Sequence, residues 1–191
     1  RVQWQNYATV WMNEEASMLR AFANTLYIAL FSIIGQMFIS SLAAYSFAKI
    51  NFKGKQVVFM LFLSSMMVPS QLTIIPRFML FKTIGLYNNL WAIILPAFFG
   101  ATSIFMLRQF YMGLPNDLIE AAKIDGAGHL RIFLRIMLPL TKAALMSLII
   151  LAFISSWNEY MAPLIFLVKK ELYTVSQNIQ WYMLDEFKEH N

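Results

Sequence analysis

The sequence predicts an all-α fold, a polytopic bundle of membrane-spanning helices, and its composition and hydropathy pattern both support this class. Hydrophobic residues make up 59% of the 191 residues and charged residues only 13%, about half the charged fraction of an average soluble protein. Four long runs are almost free of charge, and each reaches the roughly 20 apolar residues that a spanning helix needs. The chain has no cysteine, so we expect neither a disulfide framework nor a cysteine-based metal site.

The spans follow from the positions of the charged residues, and only Glu159 interrupts the fourth run. Pro69 and Pro76 lie inside the second run, so we expect that span to be kinked or broken. Four buried helices of this length would exceed what the core of a soluble protein of this size could hold. We therefore predict one transmembrane domain over residues 1–191. Its predicted spans are 22–47, 56–80, 86–107 and 139–165.

Positive charges are concentrated in two connecting segments that would lie on the same side of the membrane. Loop 48–55 carries three lysines, and segment 108–142 carries five Lys and Arg residues. The short opposite turn 77–88 has only Arg77 and Lys82. By the positive-inside rule, the two richer segments face the cytoplasm. The net charge of +5 then reflects orientation in lipid, and we expect no nucleic-acid partner.

Segment 108–138 is the one polar, helix-forming insertion between long apolar runs. Asp117 is predicted to cap a short helix, with Glu120 three residues later completing a capping box. Gly126 is a natural residue to end that helix, because glycine adopts the left-handed conformation at little cost. A second helix should follow before Pro139, with its apolar residues facing the bundle. Those residues are Leu130, Phe133, Leu134 and Met137.

The residue pattern of this insertion resembles the EAA loop found in membrane subunits of bacterial ABC importers. Glu120-Ala121-Ala122 is followed after three residues by Gly126, and after nine more by Ile136, Leu138 and Pro139. The likeness covers nearly the whole chain and includes the segments 24–26, 43–55 and 157–164. It is closest to the permease subunits of sugar importers in the maltose-type family, on the MalG-like side. Since family members usually have six spans, we expect further residues before Arg1 and after Asn191.

The resemblance implies a multi-pass protein of the bacterial inner membrane that works with several partners. These are a second permease subunit, two ATPase subunits and an extracytoplasmic solute-binding protein, all in contact with membrane lipid. ATP and Mg²⁺ would bind the ATPase, and no cofactor is expected in this chain. Gly54-Lys55 is followed by Gln56 and lacks the upstream glycine of a phosphate-binding loop, so we expect the chain not to be the ATPase. The resemblance implies a transport subunit that is not itself an enzyme.

The resemblance also assigns the residues that would couple the chain to its ATPase. These are Glu120, Ala121, Ala122, Asp125, Gly126 and Gly128. Glu120 would face a basic residue in a cleft of the ATPase. The alternative is a glutamate that only favours the helix dipole, an effect of about 0.3–1 kcal/mol.

Asn158 and Glu159 form a second candidate site, separate from the coupling residues. Twenty residues from Pro139, at about 1.5 Å each, cross the hydrocarbon core. The pair would then lie near the outer surface, as a candidate gate or binding-protein contact or as a solvated helix end. Neither a catalytic constellation nor a metal-ligand spacing is present, and no residue is assigned to substrate.

Three alternatives to a sugar permease remain from the sequence. A related ABC permease could carry a non-sugar solute. A secondary transporter driven by an ion gradient would normally show charged relay residues in mid-span, and the first three runs show none. An integral membrane enzyme would place catalytic His, Asp or Glu residues at an interface, and that constellation is missing.

Overall fold

The structure is a computed structural model that describes residue 11 and residues 17–189. In this part of the chain the regular elements are helices without any β-strand, which confirms the predicted all-α class. The predicted domain also includes residues 1–10, 12–16, 190 and 191, which lie outside the described residues. In chain order the helices are α1 Met18–Lys49, α2 Lys55–Ser64, α3 Ser70–Thr83, α4 Trp91–Ala97, α5 Ala101–Gly113, α6 Asp117–Ile124, α7 His129–Ile132, α8 Leu138–Leu140, α9 Lys142–Asn158, α10 Met161–Phe166 and α11 Val175–Glu189.

Among the described residues, two helices are long and apolar enough to cross a membrane, namely Met18–Lys49 and Trp91–Gly113. The number rises to four if each of two bent helix pairs forms one span. The first pair is Lys55–Met67 with Ser70–Thr83, and the second is His129–Leu140 with Lys142–Asn158. The first pair breaks at Pro69, where a proline was expected to interrupt the run, whereas Pro76 lies inside α3.

The helix ends differ from the predicted ranges where charged side chains find partners. The sequence ended the third span at residue 107, before Arg108, but the helix continues to Gly113. The Nε of Arg108 donates to the carbonyl oxygen of Phe47 at 3.2 Å, and its guanidinium lies 4.1 Å from the centroid of the Phe59 ring. In the fourth range, 139–165, the chain instead forms α8, α9 and the separate helix α10.

One face of α1 is apolar and exposed along most of its length. Its 32 residues at about 1.5 Å each are longer than the hydrocarbon core of a bilayer. The exposed side chains recur every four residues, so successive ones are neighbours and together they form a stripe that winds gradually around the helix. They are Leu26, Leu30, Ile34, Phe38 and Leu42. An apolar stripe of this length suits lipid or a neighbouring spanning helix.

The chain divides into two compact units. The first contains Ser70–Pro96 and the described parts of Arg1–Ser32 and Ala152–Asn191. Its core is formed by Phe81, Ala92 and Phe166, with α3 and α10 supplying further apolar side chains.

The second unit contains Ile33–Pro69 and Ala97–Leu151. At its centre the ring of Tyr45 packs on Phe133 and Tyr111, with ring centroids 5.4 Å and 6.1 Å away. The candidate site on α6 belongs to this second unit.

Candidate functional site

Helix α6 starts without the side-chain cap that the sequence predicted. Asp117 is the first helical residue, and Asn116 before it makes no side-chain cap bond. The carbonyl oxygen of Asn116 instead accepts the N–H groups of Ile119 at 2.8 Å and Glu120 at 3.0 Å. The Oδ1 of Asn116 is occupied by the ammonium of Lys49 at 2.7 Å. The capping-box prediction is therefore wrong, because the helix begins at Asp117 itself, which places this residue in the first turn and not at the cap position.

The two faces of α6 have different surroundings. Ile119 and Ala122 are buried, at 5% and 8% exposure. Glu120, Ala121 and Ile124 lie on the exposed side, and Ile124 is 86% exposed. The helix is thus fixed to the chain by one face and presents the other to solvent or to a partner.

The predicted coupling residues differ in their exposure along this division. The carboxylate of Glu120 forms no hydrogen bond or ion pair with any described residue, so it is available. Ala121 is exposed, whereas Ala122 is buried in its own chain. The small size of Ala122 therefore serves packing within this subunit, and only Ala121 can serve close contact with a partner.

The end of α6 matches the prediction for Gly126. This glycine has φ of 77°, the left-handed conformation that glycine adopts most readily. The N–H of Ala127 donates to the carbonyl oxygen of Ala122 at 2.9 Å, and the N–H of Gly126 donates to that of Lys123 at 3.0 Å. These two bonds form a Schellman motif. Asp125 is the last residue before this turn, and it shapes the turn through its backbone.

The return towards the next apolar run is a wide helical turn. Residues Phe133–Met137 form a π turn, and this changes which side chains face inward. Phe133 and Met137 are buried as predicted, and Ile132, which the sequence did not single out, is also buried. Leu130 and Leu134 are 64% and 48% exposed, so their predicted burial is wrong. The π turn has more residues per turn than an α-helix, which shifts the buried set to positions 132, 133 and 137.

Thr141 closes this segment where Pro139 interrupts the helical hydrogen bonds. Its hydroxyl donates to the carbonyl oxygens of Met137 and Leu138, both at 3.1 Å, and its side chain is 2% exposed. The helix pair bends by 76° at this point. A buried hydroxyl thus stabilises the bend between segment 108–138 and the fourth apolar run.

Asn158 and Glu159 lie together where α9 ends, in the first unit. The amide of Asn158 donates to the carbonyl oxygen of Ile154 at 2.8 Å. The Oε1 of Glu159 accepts the N–H of Ala162 at 3.0 Å, which helps to start α10. Both residues are exposed, and these bonds assign them a local role in shaping the turn.

Side chains that the sequence did not single out hold the segment after α10. Asn88 has φ of 59°, and its Oδ1 accepts the N–H groups of Val168 and Lys169, each at 3.0 Å. The amide of Asn24 donates to the carbonyl oxygens of Glu171 at 2.8 Å and Tyr173 at 3.1 Å. Asn24 had entered only as part of a family likeness, and these partners, far along the chain, leave no local pattern.

No metal centre is indicated in the described part of the chain. Within residue 11 and residues 17–189, no group of three His, Cys, Asp or Glu side chains could hold a metal ion.

Comparisons with known proteins show similarity to membrane components of transport systems. Residues 36–187 match the family described as binding-protein-dependent transport system inner membrane component. The chain is 37% identical over 174 residues to the arabinooligosaccharides transport system permease protein AraQ of Bacillus subtilis (strain 168). It is 33% identical over 166 residues to the sn-glycerol-3-phosphate transport system permease protein UgpE of Yersinia enterocolitica serotype O:8 / biotype 1B (strain NCTC 13174 / 8081).

These matches cover most of this chain and part of each relative. The AraQ match covers 91% of the chain and 62% of that protein, and the UgpE match covers 85% and 59%. The fold is also similar to a chain in the crystal structure of a bacterial ABC transporter involved in the import of the acidic polysaccharide alginate. The TM-score is 0.86 at 24% identity, with coverage of 99% of this chain and 68% of that one. At this identity the likeness shows the fold.

Proposed function

Because the chain belongs to the family of binding-protein-dependent transport system inner membrane components, we propose that it is the permease subunit of an ATP-driven importer for a carbohydrate. In this role its spans line part of the pathway, and a second permease subunit completes it. Two ATPase subunits bind ATP and Mg²⁺ on the cytoplasmic side, and an extracytoplasmic binding protein delivers the solute.

The names of the relatives support a hydroxyl-bearing solute. One relative is named for arabinooligosaccharides and another for sn-glycerol-3-phosphate. The second name favours one specific alternative, a permease for a phosphorylated polyol in place of a sugar. Direct uptake assays with both solute classes separate these two possibilities.

The observation that carries the coupling role is the outward face of α6. Ile124 is 86% exposed there, beside Glu120 and Ala121, in a segment that positive charges assign to the cytoplasm. Burying an isoleucine side chain against a protein stabilises a contact by about 1.5–3 kcal/mol. This face thus presents an apolar side chain, a small residue and a free carboxylate. Together they fit a cleft of the ATPase that contains a basic residue.

The mechanism that fits this arrangement is alternating access. When the ATPase subunits close on ATP, the cleft of each subunit moves. Helix α6 moves with the cleft in which it lies, as a short lever. The helices attached to α6 then switch the pathway from inward to outward opening, and hydrolysis reverses the change. Coupling is reciprocal, so the loaded binding protein must favour ATPase closure by the same free energy.

Co-purification with the ATPase tests this proposal. The full-length chain is extracted in detergent with its candidate ATPase, as wild type and as Glu120→Lys. We expect the wild type to retain the ATPase and Glu120→Lys to lose it, because the introduced lysine would be repelled by the basic residue in the cleft of the ATPase. Glu171→Lys is the matched control, since it makes the same charge change at an exposed residue in the first unit and should retain the ATPase.

Two results would count against the proposal. An unchanged yield of ATPase with Glu120→Lys would exclude this carboxylate from docking. Failure of the full-length wild type to retain any ATPase would make α6 an ordinary connection.

Asn158 and Glu159 have a smaller role in transport than α6. We propose that Glu159 fixes the start of α10 through its bond to Ala162. The resulting turn then presents Asn158 and Glu159 for contact with the binding protein. Glu159→Gln keeps an acceptor for that bond and should leave uptake intact, whereas Glu159→Ala removes it and should reduce uptake.

A further inference from the structure

The segments that flank α6 contact one face of α1, at Asn116 and at His129, and we propose that Lys49 and Tyr45 on that face transmit the movement of α6 to the spanning helix. We call these two residues and their partners the α1 clamp. The inference rests on the docking role proposed above. It adds residues that neither the EAA motif nor the family resemblance assigns to coupling.

Lys49 holds the segment directly before α6. Its ammonium donates to the carbonyl oxygen of Leu114 and to the Oδ1 of Asn116, each at 2.7 Å. Hydrogen bonds from a charged donor at this distance are stronger than neutral ones. Asn116 immediately precedes the first helical residue, Asp117, so Lys49 fixes the position at which α6 begins.

Tyr45 contacts the start of α7, beyond the turn that follows α6. Its hydroxyl lies 3.2 Å from the Nδ1 of His129, the first residue of α7. The Tyr45 side chain is only 2% exposed, and its ring packs on Phe133 with centroids 5.4 Å apart. The position at which the chain leaves the turn after α6 is therefore fixed by a buried aromatic side chain.

The two attachments lie on the same face of one helix. Tyr45 and Lys49 are four residues apart on α1, and residues with this spacing are neighbours on a helix surface. α1 is continuous from Met18 to Lys49. A displacement of α6 that keeps both attachments must move this end of α1, so the clamp converts motion of a short surface helix into motion of a span.

Lys53 shows what a basic residue without this role looks like. It is exposed in the same positively charged loop and forms no hydrogen bond or ion pair with a described residue. Lys53 fits a lysine that only orients the chain in the membrane. Lys49 differs because its charge is used in two short bonds inside the protein.

The test compares variants of the complete transporter, with its ATPase and binding protein, reconstituted in lipid vesicles. Lys49→Met and Asn116→Leu remove one side of the contact, whereas Lys49→Arg and Asn116→Asp keep a donor or an acceptor. Lys53→Met is the matched control for loss of a positive charge. For each variant we measure ATPase retention, stimulation of ATP hydrolysis by the loaded binding protein, and solute transported per ATP.

We expect all variants to retain the ATPase. Lys49→Met and Asn116→Leu should lose about tenfold in stimulation and in transport per ATP, the factor that corresponds to loss of one charged hydrogen bond. Asn116→Asp and Lys49→Arg should keep most of both, and Lys53→Met should match the wild type. If Lys49→Met fails to accumulate, the two Asn116 variants decide, because that side chain is exposed.

The outcomes separate the clamp from the docking role. Normal stimulation in both Lys49→Met and Asn116→Leu would overturn the clamp and leave docking intact. Loss of ATPase retention in these variants would also overturn it, since the contacts would then shape the docking surface and not transmit its motion. Absence of ATPase from the wild type would instead overturn the proposed function itself.

Discussion

Gly126 and Gly128 belong to the same predicted coupling motif, yet the structure predicts opposite effects of replacing them by alanine. A Cβ added at either position would meet no atom within 4 Å, so crowding does not distinguish them. Their backbones do: Gly126 has φ of 77°, whereas Gly128 has φ of −72° and ψ of 163°. Only the first conformation is strained for a residue with a side chain.

The magnitudes follow from this difference in backbone conformation. Alanine in the left-handed region costs about 1–2 kcal/mol. Its smaller conformational freedom in the unfolded chain returns about 0.4–1 kcal/mol. Gly126→Ala should therefore weaken the end of α6 by about 1 kcal/mol, a factor of roughly five in local opening. Gly128→Ala carries no strain and should be neutral or slightly stabilising.

Hydrogen exchange at the end of α6 measures this effect. The reporting amide is that of Ala127, which donates to the carbonyl oxygen of Ala122 at 2.9 Å. In Gly126→Ala this amide should exchange about five times faster than in the wild type. In Gly128→Ala it should exchange at the wild-type rate or more slowly. Equal acceleration in both variants would refute the assignment of the strain to the left-handed residue.

Three further predictions address packing, the bend and the segment after α10. Ala122→Trp should destabilise the purified subunit by about 1–3 kcal/mol through overpacking, whereas Ala121→Trp should keep its melting temperature and lose only the ATPase; equal melting temperatures would contradict this. Thr141→Val should lower the thermal stability by about 0.5–1.5 kcal/mol, since its two carbonyl partners lose the hydroxyl but keep the backbone N–H of Thr141 as a donor, and an unchanged melting curve would contradict it. Asn88→Gly removes the left-handed strain but also the acceptor for two N–H groups, so limited proteolysis after Lys169 should become faster, and unchanged cleavage would show that the amide is dispensable.

The sequence predicted the helical class and the break in the second run because hydropathy and proline act locally. The length of the third span could not be predicted in the same way. Arg108 appeared to end the apolar run, but the carbonyl of Phe47 and the ring of Phe59 accommodate its charge. Both partners lie about 50–60 residues earlier in the chain, so no local pattern near Arg108 reveals them.

The site shows the same division between local and long-range causes. Gly126 was predicted correctly, since ending a helix in the left-handed conformation is a local property. The cap at Asp117 was predicted wrongly, because the helix begins at Asp117 and the cap position falls on Asn116, whose side chain binds Lys49 of α1. The buried face after α6 was only partly predicted, since the π turn replaces the period of 3.6 residues on which the assignment depended.

Site-specific photocrosslinking at Ile124 tests the central claim, that the exposed face of α6 contacts the ATPase. A photoreactive residue is placed at Ile124, which is 86% exposed, and for comparison at Ile150 on α9, which is 60% exposed. Each full-length variant is irradiated in native membranes that contain the assembled transporter. We expect a covalent product with a subunit that carries a phosphate-binding loop from position 124 and none from position 150. Transport by the variant at 124 without such a product, or equal products from both positions, would contradict the account.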